Sequence, residues 1–167
     1  MRTYSFDTSC IIEAWNRYYS PDFCPEYWTV LESLGRNGTV FFTEMVKDEV
    51  LKRDDKLSVW LKVNPYFVRR IDETVQKNLR ELFAKNADNM RLVDNTKGRS
   101  QADPWVIAHA MTENAVVVTK ENSSKAFNSK KIKIPDVCLS VNVPWIDDFT
   151  FIREVGIKFN CSVSEDI

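Results

Sequence analysis

Residues 1–15 read MRTYSFDTSCIIEAW, and the middle of this stretch decides how the rest of the chain is understood. Tyr4, Ser5 and Phe6 form the apolar core of a short strand, while Cys10, Ile11, Ile12, Ala14 and Trp15 open one face of a helix. Asp7 stands at the joint between them. An acid there either starts the helix or serves as the first ligand of an active site. The choice depends on whether other acids occupy equivalent joints downstream.

Several such joints follow. Thr8 or Ser9 can cap a helix to about Tyr19, which Pro21 stops, and a second helix runs from Pro25 to the GRNG segment. Thr39 to Phe42 is β-rich and leads into a helix through Met45, Val46, Glu49, Val50 and Leu51. A short helix over 57–63, an extended stretch over 66–71 and a long amphipathic helix capped by Asp72 come next. NTKGRSQ at 95–101 contains no apolar residue and reads as a loop. It leads to a helix with Asp103 at its cap and Pro104 at its first position. AVVVT at 115–119 is a continuous apolar run, as a strand buried on both faces requires. One or two short strands are expected within 132–143, then a last helix near 145–155. Strands alternating with helices predict an α/β fold with a mainly parallel sheet.

The bulk numbers bound the possibilities. A chain of 167 residues with 44% hydrophobic content predicts one domain over 1–167 with a real core. No apolar run approaches the roughly 20 residues of a membrane helix, so no membrane role is expected. The N-terminus does not resemble a signal peptide. Cys10, Cys24, Cys138 and Cys161 are scattered without a CxxC pair, which suggests reduced thiols and a cytoplasmic location. A net charge of −1 excludes a uniformly basic nucleic-acid binder. The charge is nevertheless uneven: residues 120–133 hold five lysines and one acid, Glu121. The single histidine, His109, excludes a His-pair centre within one chain and reads as a helix-packing residue.

Four acids then stand out. Asp7 ends the first strand, Glu49 lies two turns into the helix after the second, Asp103 opens the helix before AVVVT, and Glu121 follows that strand. Each has an ordinary explanation: turn former, solvated helix residue, N-cap, loop acid. In an open parallel sheet, however, chemistry collects beyond the carboxyl ends of the strands, and all four can reach one crevice there. Crowded carboxylates repel and call for a cation; an all-oxygen donor set suits Mg²⁺ or Mn²⁺.

These acids and their order resemble those of PIN domains, the nuclease fold of VapC-type toxins. The opening Asp7-Thr8-Ser9 matches the first-strand acid with its hydroxyls, and Glu49 matches the acid of the helix after the second strand. Asp103 within ADPWVIAHA matches the acid ahead of an apolar I-A-x-A run, and Thr119-Lys120-Glu121 matches a closing T-x-D. More closely, YSFDTSCIIEAW with Tyr27-Trp28 resembles a small PIN-like family of bacterial and phage-associated proteins. Two features depart from the pattern: the last acid is Glu121 rather than Asp, and the 54–95 region is additional.

The resemblance implies a PIN-like three-layer sandwich with a central, mainly parallel sheet between helices. It also implies a metal-dependent endoribonuclease, the toxin of a toxin–antitoxin system, with RNA as substrate, an antitoxin partner and a homodimer. Asp7, Asp103 and Glu121 would ligate Mg²⁺ or Mn²⁺, while Glu49 would hold a second ion or orient water. Ser9 and Thr119 would fix the carboxylates. Lys97, Arg99, Lys120, Lys125, Lys130 and Lys131 would guide phosphates. The alternative is a catalytically weak PIN-like module that binds a partner protein. A haloacid-dehalogenase reading fails at Ser9, where that chemistry needs a second Asp.

Overall fold

The central strand β1 (Tyr4–Phe6) has a neighbour on each side and is wholly buried. The computed structural model describes residues 2–93, 101–123, 132–160 and 163. Five strands form one sheet: β1, β2 (Val40–Thr43), β3 (Val68–Arg69), β4 (Val116–Val118) and β5 (Trp145–Ile146), in the order β3-β2-β1-β4-β5. Every pairing is parallel, with Tyr4 opposite both Val40 and Val116, and Thr43 opposite Arg69. All residues of β1, β2 and β4 are buried, which explains why these strands read as unbroken apolar runs rather than alternations.

Side-chain alternation divides the core between two faces. On one face Ser5 donates to the Val106 carbonyl of helix α6 (Asp103–Glu113) at 3.0 Å, and Phe41 lies against His109 of the same helix. Helix α5 (Glu73–Lys85) packs against α6, and Asn78 donates to Thr112 at 2.8 Å. On the other face Tyr4 and Phe6 meet Phe151 of helix α8 (Asp148–Val155) edge to face, and Phe42 meets Phe6 and Phe67. Trp15, Trp28 and Trp60 join the chain after α1 (Thr8–Glu13) to α2 (Pro25–Arg36) and α4 (Lys56–Val63). Helix α2 comes close enough to Phe67 that a Cβ on Gly35 would lie 2.2 Å from that ring. Helices thus flank a parallel sheet on both sides, the three-layer arrangement expected.

Other expectations need correction. The first helix does not continue regularly to Tyr19: after Glu13 the chain widens into a π-helical turn over Ala14–Tyr18, closed by Tyr19 N–H to the Ala14 carbonyl at 2.9 Å. Residues 132–143 were expected to be strand and instead hold helix α7 (Ile134–Ser140). Its β-branched residues suggested a strand, but Pro135 sits in the first turn and the Asp136 carboxylate accepts from Lys133 N–H at 3.1 Å, a helix start. Conversely, Trp145 and Ile146 begin no helix. Val143 precedes Pro144 and is biased to extended backbone, and the Pro144 carbonyl accepts from Val117 N–H at 2.9 Å, which commits this stretch to the sheet. The last helix starts only after Asp147, whose carboxylate accepts from Thr150 N–H at 2.7 Å. Among the described residues no helix is long and apolar enough to cross a membrane.

His109 is buried in α6, and its Nε2 has no hydrogen-bond partner. Burial holds its pKa down at about 4, against the pull of Asp72 and Glu44. The unfolded chain therefore binds a proton at His109 more readily than the folded one. Its contribution to stability is complete above about pH 6.5 and is lost as pH falls toward 4, up to about 3 kcal/mol. Urea unfolding of the wild type and of His109→Leu across that range should show this pH-dependent component only in the wild type.

Candidate active site

Among the described residues, four α-helices start with a conventional cap. Thr43, Asp55, Asp72 and Asp147 each accept a hydrogen bond from a backbone N–H in the first turn, at 3.1, 3.0, 2.9 and 2.7 Å. Asp7 and Asp103 depart from this rule. Asp7 occupies the N-cap position of α1 in extended conformation but makes no side-chain capping bond. Asp103 was expected to cap α6; instead it is the first helical residue, behind Ala102, and no side chain caps that helix. Both acids are nearly buried, Asp7 at 4% and Asp103 at 8% exposure. Capping thus explains neither of them.

Both turn into one cleft of about 190 Å³ at the carboxyl end of the sheet, lined by Asp7, Thr8, Ser9, Glu49, Asp103 and Glu121. The strands explain the convergence. Asp7 N–H bonds to the Val118 carbonyl at 3.0 Å and so ends β1 level with the end of β4, beyond which Glu121 follows. Helix α3 (Glu44–Leu51) leaves β2 immediately and brings Glu49 back over the edge.

The hydrogen bonds inside the cleft form two chains. In the first, Ser9 donates to the Asp7 carboxylate, Thr119 donates to the same oxygen at 3.1 Å, and Glu121 N–H donates to the Thr119 hydroxyl at 3.1 Å. In the second, Thr8 donates to Glu49 at 2.6 Å and Ala102 N–H reaches its other oxygen at 3.2 Å, which ties α3 to the residue beside Asp103. Glu121 accepts from Ile134 N–H at 2.9 Å, at the start of α7. Burial pushes the Asp7 pKa up to about 6; Ser9 and Thr119 lower it and the Glu121 charge raises it.

Thr8 and Asp148 were not foreseen. Thr8 could be found only by seeing that the residue next to Asp7 faces α3. Lys120, expected to reach phosphates, instead pairs with Asp148 at 2.7 Å and lies 3.9 Å from the Tyr18 ring centre. Lys97, Arg99, Lys125, Lys130 and Lys131 lie outside the described residues. Among the described residues, no three acid, histidine or cysteine side chains are gathered into a ready coordination shell. The cleft brings the carboxylates to one place, but Glu49 and Glu121 hydrogen-bond to the protein around them. The donor chemistry, four carboxylates and no nitrogen or sulfur, suits a hard divalent ion; the rotamers are not those of a closed shell.

Two substitutions test this electrostatic account. An Asp whose folded pKa is raised contributes stability fully below about pH 4, and that contribution is lost as pH rises through about 6. In EDTA, Asp7→Asn should therefore raise stability at pH 7 by roughly 1–3 kcal/mol and lose that advantage near pH 4, as read by urea unfolding. Lys120→Met should leave Asp148 buried without its cation and cost roughly 3 kcal/mol, with partial recovery in Lys120→Met/Asp148→Asn.

Comparison with known proteins agrees with the fold. A chain of the VapBC2 complex from Rickettsia felis, whose crystal structure was solved bound to a DNA fragment from their promoter, superposes with a TM-score of 0.54 at 19% identity. The match covers 87% of this chain and 98% of that one. No curated protein matches the sequence. A family does match from Tyr4 to Phe159, nearly end to end, and the chain belongs to that family, described as Domain of unknown function (DUF4411).

Proposed function

We propose that this protein is a divalent-metal-dependent endoribonuclease of the PIN-like type, acting as the toxin of a toxin–antitoxin pair. One observation carries the reading: Asp7 and Asp103, both buried, line one cleft together with Glu49 and Glu121. Carboxylates gathered at one cleft repel one another, and a cation offsets their charge. The fold likeness to a chain of the VapBC2 complex supports a protein of the same fold that works with a protein partner; the antitoxin and the RNA substrate belong to the proposal.

In this reading Asp7, Asp103 and Glu121 hold Mg²⁺ or Mn²⁺, and Glu49 holds a second ion or orients water. Such an ion, when bound, lowers the pKa of a water and stabilises charge on the phosphate. The protein's own residues prepare that event. Ser9 and Thr119 fix one Asp7 oxygen and leave the other to the cleft. Thr8 and Ala102 hold Glu49 at the cleft's far wall, a second layer that orients ligands. Glu121, one methylene longer than Asp, is held by one oxygen to Ile134 N–H and has the other to offer the ion, directly or through water.

That same bond favours the second reading, a weakly catalytic interaction module, because Glu121 already has a use within the fold. Calorimetric titration with Mn²⁺ separates the two. The nuclease binds Mn²⁺ at the cleft and cuts RNA in a manner abolished by EDTA, and Asp7→Asn loses both, activity by about two orders of magnitude or more. Heatless titration by a folded wild type, with no cleavage of total RNA, would decide for the interaction module.

A further inference from the structure

Beside the acidic cleft, on the other side of α3, lies a pocket of about 320 Å³ with three cations at its rim: Lys47, Lys62 and Arg70. Its floor is apolar, formed in part by Leu51 and Leu61. We propose that this pocket binds the phosphodiester backbone of the RNA strand whose scissile phosphate lies in the acidic cleft. The inference rests on the nuclease reading and adds a substrate-binding subsite to it.

Other cations, such as Arg17, Lys56 and Arg80, also lack an ion pair among the described residues, but this pocket gathers three cations at one rim, and their pairing leaves them available. Arg2, Arg36, Arg53, Arg69 and Lys120 are each committed to an acid elsewhere in the fold: Glu154, Glu32, Asp55, Glu113 and Asp148. Lys62 and Arg70 are exposed and have no ion-pair or hydrogen-bond partner among the described residues. Lys47 has only a 4.0 Å contact with its neighbour Asp48. The one acid in the pocket, Glu44, accepts from Ile71 N–H at 2.7 Å, so part of its capacity is used by the backbone. Three like charges at one rim repel each other, and an anion relieves them.

Placement supplies the second argument. Arg70 directly follows β3 and Asp7 directly follows β1, and β2 lies between them. The registers put Asp7 level with Thr43 and Arg69, two strand spacings or roughly 10 Å apart along the backbone, so the two sites share one edge of the sheet. Helix α3 carries Glu49 to one site and Lys47 to the other. A single strand crossing α3 can meet both. Positive charge beside the acids also answers a physical need, since an acidic centre otherwise repels the substrate it must bind.

The test is binding of a short fluorescein-labelled single-stranded RNA to the full chain in EDTA, followed by anisotropy over a series of salt concentrations. Lys47→Gln, Lys62→Gln and Arg70→Gln should each weaken binding several-fold at low salt. Together they should reduce the slope of log K against log salt by about 2, or about 0.7 per cation. All three residues are exposed or half-exposed, so melting temperatures should stay near the wild type's, and Mn²⁺ titration of the triple variant should match it. An unchanged affinity and slope in the folded triple variant would overturn the proposal and leave the cations to an acidic protein partner. A wild type that binds no RNA at low salt would overturn it as well. If the triple variant loses RNA while wild type binds no Mn²⁺, the subsite stands and the nuclease reading falls. Metal-dependent cleavage with an unchanged salt slope gives the reverse.

Discussion

A carboxylate buried at the end of the central strand is the constraint around which the carboxyl edge of this protein is organised. Asp7 cannot move away from the sheet, because its own N–H completes the ladder to Val118. Its side chain is therefore held in the interior, and its neighbours exist in relation to it. Thr119, at the end of the adjacent strand, donates to it and in turn receives Glu121 N–H, so the loop after β4 is positioned by the same charge. Ser9 donates from the first turn of α1. Two hydroxyls lessen the cost of burying the charge without cancelling it, as the raised pKa shows. A fold optimised for stability alone would place a neutral cap there.

The second hydrogen-bond chain shows how distant segments are brought to that edge. Glu49 spans from Thr8 to Ala102, joining the helix after β1, the helix after β2 and the start of α6. Lys120 does a similar service on the opposite flank. Its ammonium pairs with Asp148 and lies over Tyr18, linking the loop after β4 to α8 and to the π-helical turn. Adjacent residues of one T-K-E run thus divide the work: Thr119 holds Asp7, Glu121 lines the cleft, and Lys120 anchors the loop from behind.

Much of this was legible in the sequence because the strong signals were local. Buried parallel strands leave continuous apolar runs, so VFF and AVVV announced themselves, and the acids at their ends followed from topology. What failed were short elements whose state is decided by partners far away. Ile134–Ser140 has a strand-like composition, yet Pro135 and Asp136 give it a helix start, and that signal was present but underweighted. Trp145 and Ile146 are strand only because Val117 N–H and Thr119 N–H donate to the carbonyls of Pro144 and Ile146, which composition cannot show. Lys120 looked like a phosphate contact because its partner, Asp148, is 28 residues away. Asp103 looked like the cap of α6 because it precedes Pro104, but the helix starts one residue earlier than that role needs, with Ala102 at the cap position.

The 54–95 region has a clear place in the same topology. It supplies α4, β3 and α5, and so places one more strand beyond β2. That strand is only two residues long, a brief edge that offers little backbone for unwanted pairing, and Arg70 follows it directly. This strand sets the sheet's open border one strand spacing beyond β2, and Phe67 fills the interval, its ring tilted against those of Phe42 and Trp60. Gly35 is then required on α2, since any side chain there would collide with the Phe67 ring. The extra segment is therefore built into the core at its base, while its upper rim, with Lys62 and Arg70, extends the same edge on which the four acids stand.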